Sequence, residues 1–339
     1  MKIQENVSLA QYATFHLGGP ARFYTEAASL EDLREAISFA NEHTLPLHIL
    51  GGGSNTLVSE AGFSGLVVHM VNRGLEVSAV ENIVQFVVQA GEGWDTFVAY
   101  AVSQGAWGVE NLSGIPGTVG GAVVQNIGAY GASLSETVTV VRAYNRATGS
   151  VEEFSNEACH FGYRESIFGQ PGSPYVVLEA VFELQTGLHP NLSYKDLSQY
   201  FVGKNPGLEE IRNAILAIRK NKFPDLNVEG TAGSFFKNPI VGEEMAQALC
   251  ARFPLLPTFA LPEASGRKIP LAWFLDERNG ALTLPMRNVG GARLFEKQPL
   301  VIAAKKGASA NDVLLLATEV KKQIQEQLGI EVLFEVKII

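Results

Sequence analysis

The sequence predicts an α+β protein with more than one domain. Three observations carry this. Strand-like and helix-like segments are mixed but do not alternate strictly, which argues against a doubly wound parallel sheet. A length of 339 residues suits about two or three domains of ordinary size. Hydrophobic residues at 46% against charged residues at 18% are the balance of a chain that buries a core, not of a disordered one.

The elements follow in order. Residues 30–43 read as a helix: Ser29 can cap it, and Leu30, Leu33, Ile37 and Ala40 share one face. Leu47-His48-Ile49-Leu50 is a short apolar strand that runs straight into Gly51-Gly52-Gly53-Ser54-Asn55. Strands are expected over 65–71, 75–80 and 83–90. A helix over 94–104 puts Trp94, Phe97, Val98 and Ala101 on one side and stops at Gly105. From 107 to 131 neither period holds. The segment is too apolar for disorder, and long irregular stretches inside compact domains are commonly functional. Strands resume over 137–145, 150–154 and 175–184. A helix near 207–220 aligns Leu208, Ile211, Ile215 and Ile218, and Lys222-Phe223-Pro224-Asp225 then reads as a linker. After a block at 230–308, a helix over 310–328 carries Ser309 as cap and Gly329 as stop, and Val332 to Ile339 forms a last strand.

Composition excludes several functions. A net charge of −9 lacks the basic footprint of a nucleic-acid binder. No apolar run approaches the ~20 residues of a membrane span, and residues 1–6 carry no leader core. Cys159 and Cys250 make no disulfide framework and read as buried thiols of a reduced cytoplasm. None of His16, His43, His48, His69, His160 and His189 pairs at metal-ligand spacing, so no metal site is expected.

Several segments carry chemistry. A strand end followed by Gly51, Gly52 and Gly53 lets backbone N–H groups converge on an anion, with Ser54 and Asn55 as added donors. It matches neither the dinucleotide fingerprint nor the P-loop, and alone it also reads as a plain turn. Residues 108–131 carry seven glycines. With the amides Asn111, Gln125 and Asn126, that segment can wrap a large, flat ligand, the amides meeting a ring edge. Arg164, between Tyr163 and Glu165, reads alone as a surface ion pair, although its fork also suits a carboxylate. Ser234, in Gly233-Ser234-Phe235-Phe236, lacks the elbow of a hydrolase nucleophile but can give a proton to a strong base. Glu335 sits in an apolar terminal strand, either at a frayed end or in use.

In this order, these segments resemble one family, the UDP-N-acetylenolpyruvoylglucosamine reductases of peptidoglycan synthesis. The resemblance runs from about Thr14 to the C-terminus. It is carried by Gly51 to Asn55, Ile115-Pro116-Gly117-Thr118-Val119-Gly120-Gly121, Gln125-Asn126-Ile127-Gly128-Ala129-Tyr130-Gly131, Gly162-Tyr163-Arg164 and Gly233-Ser234-Phe235-Phe236-Lys237-Asn238-Pro239. It implies an FAD-binding domain of the vanillyl-alcohol-oxidase (PCMH) type, with FAD held noncovalently, plus a C-terminal α+β substrate domain. The implied division is 1–66 and 67–220 for two FAD subdomains, joined by the strand 330–339, with 221–318 binding substrate. The implied cofactor contacts are Gly51, Gly52, Gly53, Ser54, Asn55, Thr56, Leu57, Ile115, Gly120, Gly121, Asn126, Gly128 and Arg164. NADPH is the implied reductant and UDP-N-acetylglucosamine enolpyruvate the implied substrate.

Hydride would reach C3 of the vinyl ether and charge would develop toward C2. By family position Arg164 and Glu335 stabilise that charge, Glu335 as a protonated donor, and Ser234 protonates C2. Asn191-Leu192-Ser193-Tyr194-Lys195-Asp196-Leu197 resembles the tyrosine-bearing loop of the family's first type, which places Tyr194 over substrate. Lys222, Asn238 and Tyr130 occupy positions used around the nucleotide. A cytoplasmic monomer is expected. The competing readings are a noncovalent FAD oxidase of the same superfamily and a non-catalytic flavin- or nucleotide-sugar-binding protein. Covalent tethering is disfavoured, since no His or Cys lies in 49–58 or 107–131.

Overall fold

The computed structural model describes residues 1–187, 190–260 and 266–339, so His189 lies outside the described residues. The chain divides into two compact units. The first comprises Met1–Val7, Ala21–Gly52 and Ser64–Lys220; the second comprises Ser8–Pro20, Gly53–Phe63 and Asn221–Ile339.

The first unit holds two sheets. One has four strands in the order Gln4–Ser8, Pro20–Ala27, Phe63–Met70, Leu47–Leu50, the last pair parallel. Helix α1 (Leu30–Glu42) starts at a reciprocal capping box between Ser29 and Asp32. The Ser29 hydrogen bond, followed by main-chain N–H groups, holds the Asp32 carboxyl below its usual range. Leu33, Ala36, Ile37 and Ala40 of α1 share a core with Leu66, Val68 and Met70.

The second sheet is antiparallel, in the order Val151–Ser155, Val138–Asn145, Tyr175–Gln185, Ile83–Gln89, Leu75–Val80. Val84, Phe86 and Val88 alternate inward onto helix α2 (Trp94–Ser103). Phe97 stacks near Phe182, centroids 4.7 Å apart. Trp94 donates its indole N–H to the Leu112 carbonyl at 3.0 Å. The α2 core thus fixes the start of the glycine-rich segment.

That segment is more regular than expected. It contains helix α3 (Val119–Gln125), capped by Thr118 and stopped by Asn126 in the left-handed region, φ 41°. Glycine and β-branched valine are poor helix formers. Burial of Val119, Ala122 and Val123 in the core outweighs that propensity, and composition alone does not reveal it. Likewise helix α4 (Lys195–Tyr200) follows directly on Tyr194. Helix α5 (Leu208–Lys222) runs through Lys222, which is therefore helical and not part of a linker.

The second unit has an antiparallel sheet in the order Glu229–Gly230, Ile302–Lys305, Ala292–Leu294, Asn288–Val289. Helices α6 (Glu243–Arg252), α7 (Leu271–Leu275) and α8 (Ala310–Leu328) share one core with it. Ser309 and Asp312 form the capping box of α8, and Gly329 closes it at φ 69°. Val313, Leu316, Val320 and Ile324 of α8 share a core with Phe235, Phe236 and Phe274. The terminal segment is extended, with Val332 and Val336 inward, but it is not one continuous ladder. Leu333 and Glu335 bond to Lys237 and Phe235, and only Lys337–Ile338 pairs, in parallel, with Thr56–Leu57. Among the described residues no helix is long and apolar enough to cross a membrane.

Candidate active site

In the first unit the two glycine-rich segments meet main chain to main chain. A Cβ on Gly52 would lie 2.7 Å from Gly117 Cα, and one on Gly51 would lie 2.7 Å from the Thr118 hydroxyl. The first turn of α3 has a packing task. The N–H groups of Val119 and Gly120 donate to the carbonyls of Glu92 (2.9 Å) and Ala90 (2.8 Å). A Cβ on Gly120 would stand 2.9 Å from that of Ala90.

Two of the amides expected at a ring edge, Asn126 and Asn111, hydrogen-bond to the protein. Asn126 donates to the Gly162 carbonyl (2.9 Å) and accepts from the Ser135 N–H (3.0 Å). Asn111 donates to the carbonyls of Tyr130 and Asn191, both at 2.9 Å. These side chains hold the turns that line the site. Both are buried, with 1% exposure for Asn111 and 6% for Asn126.

Three candidate residues have positive φ without being glycine: Asn126 (41°), Tyr130 (49°) and Arg164 (59°). Such strain persists where surroundings over-determine the backbone. Arg164 sits in a tight turn closed by reciprocal hydrogen bonds between Gly162 and Glu165 (3.0 and 3.2 Å). Its Nη2 donates to the Gly128 carbonyl at 2.8 Å, and the guanidinium lies 5.6 Å from the Tyr163 ring centre. The arginine thereby reaches the turn that carries Tyr130. Ile115 is half-buried and packs on the α2 core.

Two arginines of α5 were not singled out from the sequence. Arg219 donates Nε to the Gly114 carbonyl at 2.9 Å and hydrogen-bonds Tyr130. Burial pushes the Tyr130 phenol up to about 12, against the pull of Arg219; burial likewise lowers Arg219. Arg212 forks onto Asp95 at 2.6 and 2.9 Å, and Asp95 also accepts from the Gly114 N–H at 2.6 Å. The signal was present: Arg212 and Arg219 are seven residues apart, two helical turns, hence on one face. The Tyr194 ring meets the Tyr130 ring edge-on, centroids 5.3 Å apart and planes at 80°.

The second unit gathers another set. Gly53 has φ +60°, and a Cβ there would collide with the Tyr12 carbonyl. The Asn55 amide donates to the Glu335 carbonyl at 3.0 Å, and the Lys337 N–H donates to the Asn55 carbonyl at 3.0 Å. The Glu335 N–H donates to the Phe235 carbonyl at 2.9 Å, next to Ser234, whose strand neighbour on the other side is Val301. Ser234 and Glu335 are both half-buried, so Glu335 is neither frayed into solvent nor sealed off. Asn238 accepts from the Leu271 N–H at 2.9 Å, at the start of α7. Thr56 and Leu57 are buried, Leu57 within the core.

Gly51 and Gly52 approach Thr118 and Gly117 so closely that a Cβ on either would clash, and glycine-rich backbone free of side chains fits FAD held through main-chain groups. Residues 21–155 match the family model described as FAD binding domain. Residues 225–339 match the one described as UDP-N-acetylenolpyruvoylglucosamine reductase, C-terminal domain. The fold is that of the crystallised UDP-N-acetylenolpyruvylglucosamine reductase (MurB) from Thermus caldophilus, with TM-score 0.69, 24% identity, and 100% and 99% of the two chains covered. The family model and the fold thus define a protein built on an FAD-binding domain.

Reductases named for UDP-N-acetylenolpyruvoylglucosamine align over nearly the whole chain. That of Neisseria meningitidis serogroup A is 39% identical over 335 residues, covering 97% of this chain and 95% of its own. That of Pseudomonas fluorescens is 37% identical over 339 residues, covering 99% and 98%. The chain belongs to the UDP-N-acetylenolpyruvoylglucosamine reductase family, and its role is reduction in peptidoglycan precursor synthesis.

Proposed function

We propose that this chain is a first-type member that reduces UDP-N-acetylglucosamine enolpyruvate to UDP-N-acetylmuramate with NADPH as reductant. When bound, FAD supplies the hydride that reaches C3 of the vinyl ether. Negative charge then develops at C2 and in the adjoining carboxylate, and fixed electrostatics lower that barrier. Arg164 provides a permanent cation in a rigid fork, oriented by the Gly128 carbonyl. Glu335 acts as a protonated donor to the same charge, and Ser234 gives its hydroxyl proton to C2, so that hydride and proton together saturate the double bond. Tyr194 covers the bound substrate, and Lys222, Asn238 and Tyr130 hold its nucleotide. Residues 1–66 and 67–220, with the terminal strand 330–339, serve the flavin; 221–318 serve the substrate. The enzyme works as a cytoplasmic monomer.

One observation supports this assignment of roles most directly. The second unit ties the Asn55 amide, the Glu335 main chain and the residue after Ser234 together by hydrogen bonds of 3.0 and 2.9 Å. The test is stopped-flow absorbance of the flavin in each half-reaction. Ser234→Ala is expected to leave reduction by NADPH intact and to slow reoxidation by the enolpyruvyl substrate by ~10² to 10⁴. Equal slowing of both steps would make Ser234 a cofactor-site or structural residue.

A further inference from the structure

Asn111 stands where two parts of the first unit are joined. Its side chain is 1% exposed. The single Nδ2 donates twice, to the carbonyls of Tyr130 and Asn191 at 2.9 Å each. Asn191 extends the joint: its own amide donates to the Gly131 carbonyl at 3.0 Å, and its Oδ1 accepts from the Ser193 hydroxyl at 2.7 Å and N–H at 3.2 Å. Three residues beyond Asn191 comes Tyr194, whose ring rests edge-on against Tyr130. One buried amide therefore fastens both the left-handed turn at Tyr130 and the segment that presents Tyr194.

The acceptor half of this amide makes the point sharper. Among the described residues, Asn111 Oδ1 is buried with no hydrogen-bond partner. A buried acceptor without a partner destabilises the folded state, and an apolar side chain of the same shape would remove that cost. Retaining asparagine here is explained by what its two donated hydrogen bonds hold in place. We propose that Asn111 is a positioning residue for the second half-reaction: it sets the geometry of Tyr194 over the nucleotide-sugar by locking the Tyr130 and Asn191 main chains to each other. This rests on the reading of Tyr194 as the group that covers substrate. Asn111 touches neither substrate nor flavin in this role, so its removal acts on substrate binding and not on reduction of the flavin.

The test is a double-mutant cycle on the holoenzyme with Asn111→Leu, Tyr194→Ala and both together. Reduction by NADPH and reoxidation by UDP-N-acetylglucosamine enolpyruvate are followed separately, the latter against substrate concentration. Asn111→Leu is expected to raise the half-saturating substrate concentration on the order of ten-fold, about 1.4 kcal/mol. The limiting reoxidation rate and the NADPH step should stay within about two-fold. In the Tyr194→Ala background the Asn111 effect should shrink to the part that runs through Tyr130, clearly below its size in the wild-type background. An undiminished effect in that background, or equal loss in both half-reactions, overturns the proposal. If Tyr194→Ala leaves substrate saturation unchanged, the cover reading falls and takes this one with it, whereas a shift with Tyr194→Ala and none with Asn111→Leu overturns this inference alone. Should Asn111→Leu fail to retain flavin, Asn111→Ser, which keeps one donor, enters the same cycle with the same criteria.

Discussion

Replacing Asp95 by asparagine preserves the shape of the side chain and removes its charge. The native carboxylate accepts three hydrogen bonds, from the Gly114 N–H at 2.6 Å and from Arg212 at 2.6 and 2.9 Å. Burial by itself pushes this carboxyl up, but the Arg212 fork, the Gly114 N–H and Arg219 outweigh it and hold the group below its usual range. Buried hydrogen bonds to a charged group contribute about 1.5–3 kcal/mol each. The Asp95 side chain, however, is 37% exposed and Arg212 15%, and solvent screening reduces exposed pairs to about 1 kcal/mol or less. Asparagine keeps one acceptor oxygen. The expected loss is therefore about 2 kcal/mol. The sign with pH follows from the direction of the shift. A carboxyl depressed in the folded state stabilises fully above its unfolded value and loses that contribution as pH falls through the folded one. Urea unfolding at a fixed excess of FAD measures it. The gap between wild type and Asp95→Asn should be about 2 kcal/mol at pH 7 and close as pH drops below about 4. No gap at pH 7, or one that stays constant into acid, would refute the reasoning.

Three further outcomes are expected. Gly53→Ala should cost more than the ~1–2 kcal/mol of a left-handed alanine, because its Cβ also meets the Tyr12 carbonyl. Gly105→Ala, with φ +71° and open space around it, should show the conformational cost alone, so equal melting shifts would remove the argument from close approach. Tyr194→Phe should weaken substrate binding by about 0.5–1.5 kcal/mol while NADPH oxidation is unchanged; equal loss in both steps assigns the segment to the fold. Acid or denaturant should release all flavin from the purified protein, and flavin remaining on the chain in a denaturing gel would contradict a noncovalent site.

The sequence by itself determined the long periodic elements. The helix over Ala310–Leu328 and the strands over Leu47–Leu50 and Leu75–Val80 follow from apolar spacing, and the helices starting at Leu30 and Ala310 follow from Ser29 and Ser309. Burial reinforces the local preference in the helices and in Leu47–Leu50, whereas Leu75–Val80 is largely exposed and is held by its antiparallel pairing with Ile83–Gln89. The order of the glycine-rich and Arg- or Ser-bearing segments determined the family as well, since it is a property of the chain and not of its folding. Tertiary structure decided the remainder. Helix α3 forms against its own propensity because Val119, Ala122 and Val123 are buried. The terminal segment changes partner from Phe235 and Lys237 to Thr56 and Leu57, which no period-2 pattern encodes. The task of Asn111 was hidden for the same reason. An amide in a glycine-rich segment is equally able to meet a ligand or a carbonyl, and only folding brings the carbonyls of Tyr130 and Asn191, 19 and 80 residues away, within 2.9 Å of it.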